Sequence, residues 1–349
     1  MNTNYPFEKG TPSVFAIVSP FQALCAVEAI KDLEIKDYKV FLCLKGSSRD
    51  NQTIEILNKY DIKFEIVDTN KQILPFIKRL QIIFSTKKIY RRAFSGSHTS
   101  LYLYFWLLRN ISDKSCIISL DDGNVNISVL KGTYNRRKKN KLSFLNNLVY
   151  SFACKRRKII SHKHFYTIYS DIDNNNYITA QNNLSHILSG GTAPERNCVY
   201  FVGSNPESLW KALNITKDEY ITLIENRLHL LKDEYPHHKI VYIPHGMDGN
   251  DLMESFCQEQ GIEYIRPIST IELFMIDYDK NPHYICGFTS SALLNLKLIY
   301  KKCIVENFLL VKDYPVKLEY EEISKYYEDK GIKKIRIPYK EGRIIEIKK

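Results

Sequence analysis

The chain has 349 residues, 44% of them hydrophobic and 26% charged, which is about two domains' worth of length and excludes disordered, collagen-like and disulfide-scaffold classes. Lys and Arg number 50 against 39 Asp and Glu, a formal +11, yet residues 131–163 alone hold eleven Lys and Arg and no acid, leaving the rest of the chain formally neutral. Charge concentrated in this way describes one surface element and does not by itself make a nucleic-acid-binding fold.

In chain order, Val14 to Val18 reads as a buried strand ended by Ser19-Pro20, and Gln22 to Leu33 as a helix with apolar residues at helical spacing. Lys39 to Leu44 and Phe64 to Val67 read as strands, with a helix from Asn51 to Tyr60 between them, a βαβαβ start that predicts a parallel sheet. Cys116 to Leu120 is another apolar run, leading directly into Asp121-Asp122-Gly123. Residues 176–197, polar and closed by Ser189-Gly190-Gly191-Thr192, read as a linker between a first domain of 1–175 and a second of 198–349 that ends in a tail. The second series predicts strands at Val199–Gly203, Lys239–Ile243 and Tyr284–Cys286, and helices at Thr216–Tyr235, Asn250–Gln260 and Ser290–Tyr300. The fold class is therefore α/β, with two Rossmann-like parallel-sheet domains and the active site expected in the interdomain cleft at the strand ends.

The first residues lack the basic start and apolar stretch of a signal peptide, and no run reaches the roughly 18 apolar residues of a membrane span, so a cytoplasmic protein is expected. The eight cysteines form no C-x-x-C pair and most sit in apolar stretches, which reads as reduced core thiols. No G-x-G-x-x-G and no P-loop signature is present, against a dinucleotide oxidoreductase or a P-loop NTPase.

Four places just after predicted strands carry chemistry: Ser19-Pro20-Phe21-Gln22, Asp121-Asp122-Gly123, Pro244-His245-Gly246 and Gly287-Phe288-Thr289-Ser290-Ser291. Adjacent strand side chains point to opposite faces, so at most one of Asp121 and Asp122 is expected to face a ligand, where it would serve as a general base; the plainer reading is an Asp-Gly turn. His245 at a strand tip can bind a phosphate oxygen and stabilise its charge as it leaves, although a loop histidine is more often incidental. Thr289, Ser290 and Ser291 open a helix, which is either simple capping or an anion site built on the free N–H groups.

These residues resemble the two-domain (GT-B) bacterial sialyltransferases, a group that includes lipooligosaccharide sialyltransferases and capsule polysialyltransferases. The group's acidic pair with glycine, His-Pro motif and Ser/Thr pair look like Asp121-Asp122-Gly123, Pro244-His245-Gly246 and Ser290-Ser291, in the same order, although here proline precedes the histidine. Ser19-Pro20-Phe21-Gln22, Phe201-Val202-Gly203 and the stretch from Gly261 through Pro267 and Glu272 to Leu293 extend the similarity over most of the chain. The resemblance implies metal-independent, inverting transfer from CMP-sialic acid, with no cofactor, to a hydroxyl of a bacterial surface glycan or lipid-linked oligosaccharide. Asp121 would be the general base with Asp122 the fallback, and His245 would stabilise the departing phosphate. Thr289, Ser290, Ser291, Gly203, Pro267 and Glu272 would line the donor site, with Ser19 and Gln22 on the acceptor side.

Rival readings are a GT-B enzyme using a nucleotide diphosphate sugar, with Arg266 beside the diphosphate, a polysialyltransferase, and a nucleic-acid- or lipid-binding protein built on the basic segment. Leu142 to Phe152, apolar at helical spacing between two basic clusters, fits an interfacial helix on an anionic membrane better than a nucleic-acid module, so no nucleic acid is expected as a partner.

Overall fold

The computed structural model describes residues 6–44, 46, 49–68, 77, 81, 89–96, 101–133, 141–172, 174–189, 193–213, 215–248, 251–311, 318–340 and 343–344. The chain divides into two compact units, Met1–Gly190 and Gly191–Lys349.

The first unit is built on seven parallel strands: β1 (Ser13–Ile17), β2 (Tyr38–Leu44), β3 (Phe64–Asp68), β4 (Tyr90–Ser95), β5 (Ile111–Ser119), β6 (Ile160–Thr167) and β7 (Ile178–Gln181), in the order β3-β2-β1-β4-β5-β6-β7. Every residue of β1 is buried, as expected of a parallel strand covered on both faces, and Ser13 is in register with Tyr38 on one side and Arg92 on the other. One face of the sheet is covered by Tyr104, Phe105, Leu107 and Leu108 of the helix Leu101–Asn110 and by Tyr150, Ala153 and Cys154 of the helix Lys141–Arg156. Arg92 is fully buried on β4: its guanidinium donates to the carbonyls of Pro6, Glu8 and Thr11 and to the Ser13 hydroxyl, and it lies over the Phe94 ring.

The second unit repeats the plan with β8 (Cys198–Val202), β9 (Lys239–Ile243), β10 (Glu263–Tyr264), β11 (Tyr284–Phe288), β12 (Ile304–Val311), β13 (Lys333–Lys340) and β14 (Arg343–Ile344), ordered β10-β9-β8-β11-β12-β13-β14, all parallel except the edge strand β14. Its core joins Val199, Phe201, Tyr242, Cys286 and Phe308 of the sheet to Leu223, Leu228 and Leu231 of the helix Lys217–Glu234. Thr216 caps that helix in a reciprocal pair with Glu219. In both sheets the strand order reverses beside the first strand, at β1/β4 and at β8/β11, and ligands of such sheets bind outside the strand ends at these points.

The two expected Rossmann-like sheets are both present, with three differences of detail. The stretch 176–197 is more than a connection: it supplies β7 and the short helix Ser185–Leu188, whose His186 amide and Ser185 hydroxyl donate to buried Glu28. The helix expected at Asn250–Gln260 spans Glu254–Glu259, and Asn250 lies outside the described residues. The apolar residues of the helix Lys141–Arg156 divide between two faces: Tyr150, Ala153 and Cys154 pack into the core, while Leu145, Leu148 and Phe152 are exposed. Within the basic segment, Arg136 to Lys139 lie outside the described residues, and Arg157 turns inward to donate to Asp113 and to the carbonyls of Leu108 and Ile111. All eight cysteines are buried, and among the described residues no helix is long and apolar enough to cross a membrane.

Candidate functional site

At the switch point of the first sheet, Ser19 caps the helix Pro20–Asp32, accepting from the Gln22 amide at 3.4 Å. That cap turns the Gln22 side chain back over the strand ends. Its Oε1 accepts from the Val18 amide at 2.8 Å, while Nε2 donates to the Gly96 carbonyl after β4 and to Asp122 Oδ1 at 2.7 Å after β5. A Cβ at Gly96 would overlap the Gln22 side chain, so any larger residue there requires that amide to move.

The two adjacent carboxylates have separate environments. Asp121 is 0% exposed: Oδ1 accepts from Thr167 Oγ1 and, at 3.0 Å, from Asn126 Nδ2, while Oδ2 accepts from the Ile168 amide at 2.9 Å. Burial pushes its carboxyl up to about 7, against the lowering effect of those three donors and with a small further push from Asp122. Asp121 thus ties the end of β5 to the end of β6. Asp122 is only half-buried and is the member of the pair that remains reachable, with Gly123 at φ +63° turning the chain into the helix Asn124–Leu130.

In the second unit, the ends of β8, β9 and β11 come together. Gly287 on β11 lies against the Val202 carbonyl of β8 so closely that any Cβ would collide with it. The Gly203 amide donates to the Ile243 carbonyl at 2.8 Å, and a Cβ on Gly203 would stand 3.1 Å from the His245 backbone nitrogen. His245 is half-buried, and its Nδ1 accepts from the Met247 amide at 3.0 Å, so the neutral ring carries its proton on Nε2. Ser290 caps the helix Ser291–Ile299, its hydroxyl accepting from the Ala292 amide at 3.3 Å, and Thr289 before it sits at φ +26°. This strained corner is braced from three sides. The Thr289 amide donates to Asn307 Oδ1 at 2.7 Å, the Tyr327 hydroxyl donates to the Ser290 carbonyl at 2.9 Å, and the Ser204 hydroxyl donates to the Phe288 carbonyl.

The cluster therefore gathers Gly203, His245, Thr289, Ser290 and Ser291 around the switch point. Glu272 is buried and accepts from Asn295 Nδ2 at 2.7 Å, which makes it a brace between two helices, and Pro267 is half-buried. Arg266 donates to Asp251 and to the Asp248 carbonyl, so its charge clamps the loop that follows His245. Among the described residues, no three His, Cys, Asp or Glu side chains are gathered as metal ligands would be. Sequence reasoning passed over Asn126, Thr167, Asn307 and Tyr327; only Asn307 carried a local signal, a polar residue inside the apolar run of β12.

The sequence matches no family model and no curated protein. Among solved structures, the α/β-galactoside α-2,3-sialyltransferase of Photobacterium phosphoreum is similar at 12% identity over 94% of this chain and 99% of its own, with a TM-score of 0.53. Looser likenesses are Staphylococcus aureus MnaA with UDP (11% identity, 91% and 87% covered, TM-score 0.49) and the UDP-GlcNAc 2-epimerase of Neisseria meningitidis bound to UDP-GlcNAc (12%, 90% and 85%, TM-score 0.49). The fold is that of the GT-B glycosyltransferases, two Rossmann-like parallel-sheet units in succession.

Proposed function

We propose that this chain is a glycosyltransferase that moves a sialyl group from CMP-sialic acid to a sugar hydroxyl, a galactose of a bacterial surface or lipid-linked glycan, with inversion and without a metal ion. The observation that carries the reading is the second unit's strand-end cluster: an imidazole whose Nδ1 is held by the Met247 amide and a hydroxyl-rich helix start, both at the switch point. That arrangement suits a single phosphate. Arg266, the cation a diphosphate donor would call on, is engaged with Asp251, which favours a monophosphate donor over a nucleotide diphosphate sugar. Sharing the fold with a galactoside sialyltransferase supports the same reading.

The chemistry follows from the residues. Asp122 takes the proton of the acceptor hydroxyl, whose oxygen attacks the anomeric carbon from the face opposite the phosphate. The bond from that carbon to the phosphate oxygen breaks, and the oxygen leaves with the electron pair as CMP. His245 Nε2–H, the Ser290 and Ser291 hydroxyls and the first amides of the helix Ser291–Ile299 stabilise the charge that builds there. Assigning the base to Asp122 reverses the order expected from the sequence, because each Asp121 oxygen is already held in the interior.

The test is CMP release from CMP-sialic acid with a galactose-terminated acceptor in EDTA. The parent should release CMP, Asp122→Ala should lose about 10²–10⁴-fold and His245→Ala about 10²–10³-fold. Thermal stabilisation by UDP or GDP and none by CMP would overturn the donor assignment.

A further inference from the structure

The helix Lys141–Arg156 has spent one face on the core and left another uncovered. Leu145, Leu148 and Phe152 are 50%, 51% and 60% exposed. At about 100° per residue, these three and the exposed Lys155 and Arg156 fall within roughly a 100° arc, opposite buried Tyr150 and Cys154. A row of two leucines and a phenylalanine is thus flanked at one end by two cations. Exposed Lys158 follows directly, exposed Lys163 is nearby in the chain, and residues 131–163 contain no acidic side chain.

We infer that this face is a docking surface for an anionic lipid bilayer, with Leu145, Leu148 and Phe152 entering the headgroup boundary and Lys155 and Arg156 meeting lipid phosphates. Both halves of the pattern are then used: apolar side chains leave water, and cations sit where the surface potential is negative. A nucleic acid would use the cations and leave the aliphatic row in water, and a second copy of the chain would bring like charges together. The surface does not depend on the identity of the sugar donor.

The experiment is flotation of the full chain with vesicles of phosphatidylcholine alone and with vesicles of equal parts phosphatidylcholine and phosphatidylglycerol. The parent should float only with the anionic vesicles. The double substitution Lys155→Gln/Arg156→Gln should weaken partitioning about five-fold per charge removed. Leu148→Ser/Phe152→Ser should weaken it at least ten-fold, with an unchanged circular dichroism spectrum in both variants. If the apolar variant does not fold, the charge variant and the contrast between the two vesicle types decide. Equal binding to neutral vesicles, no binding to anionic ones, folded variants that bind like the parent, displacement of the vesicles by single-stranded oligonucleotide, or self-association that the substitutions abolish would each overturn the proposal.

Discussion

Gln22 Nε2 donates to Asp122 Oδ1 at 2.7 Å, although the two residues stand 100 positions apart in the chain. The same side chain is held by the Val18 amide and the Gly96 carbonyl, so one buried amide group links the ends of β1, β4 and β5 to the carboxylate we assign as base. Its orientation is set before an acceptor arrives, which is how a buried neighbour contributes to proton transfer without touching substrate.

Replacing Gln22 tests that positioning role. Gln22→Ala should lower kcat about ten-fold or more with the donor KM little changed, and it should cost about 1–3 kcal/mol of stability by stranding buried backbone groups. Gln22→Glu should in addition move the acid limb of the kcat–pH profile upward, because a second carboxylate beside Asp122 disfavours its charge. A drop in melting temperature with an unmoved pH profile would mean that Gln22 is structural only.

Asp121 makes stability depend on pH in the direction opposite to a salt-bridged carboxylate. Burial raises its folded value to about 7, while an unfolded aspartate titrates near 4. Between those values the folded state keeps a proton that the unfolded state has released, so the contribution is fully present below about pH 4 and lost as pH rises through about 7. The stability gap between the parent and Asp121→Asn should therefore narrow from pH 5 to pH 7, by up to about 1.4 kcal/mol per unit. Urea unfolding at the two pH values measures it, and a gap that stays constant or widens refutes it.

The two glycines of the second unit should fail differently. A Cβ at Gly287 meets the Val202 backbone, so Gly287→Ala forces β8 and β11 apart and should cost several kcal/mol, about the upper end of overpacking penalties. At Gly203 the nearest atoms stand 3.1 Å away and belong to His245 and Tyr242, so Gly203→Ala should spare stability and displace the His245 loop. Thermal melts and CMP release on both variants separate the two outcomes.

Tyr327→Phe removes the hydroxyl that holds the Ser290 carbonyl and should cost about 1 kcal/mol. If Ser290 receives the donor phosphate, the KM for CMP-sialic acid should rise several-fold while kcat changes little. An unchanged donor KM would detach this corner from donor binding.

The strands of the two sheet centres were legible because β1, β8, β9 and β11 are short unbroken apolar runs, the mark of parallel strands covered on both faces. β4, β6 and β13 were not, because their runs are interrupted by Arg91 and Arg92, by His162, Lys163 and His164, and by Lys333, Lys334 and Arg336. Arg92 shows why such a run can still be central: its charge is satisfied by carbonyls at the strand's edge, which only the folded chain brings within reach. The strand-tip positions of His245, Ser290 and the acidic pair could be read locally, since each follows an apolar run. Which aspartate is sequestered could not, because the answer lies with Thr167 and Ile168, at the end of a strand that starts inside the basic segment and runs out of it.

The Arg92 anchor has a consequence for how the first unit tolerates acid and trimming. The bonds it makes to the Pro6, Glu8 and Thr11 carbonyls and to the Ser13 hydroxyl involve no group that gains or loses a proton, so these ties to the segment from Pro6 to Thr11 hold at pH values where carboxylate ties release. The same fastening turns that leading segment into part of the interior: shortening the chain past Glu8 would deprive a fully buried guanidinium of two of its acceptors, a loss felt at the centre of the sheet and not at its margin.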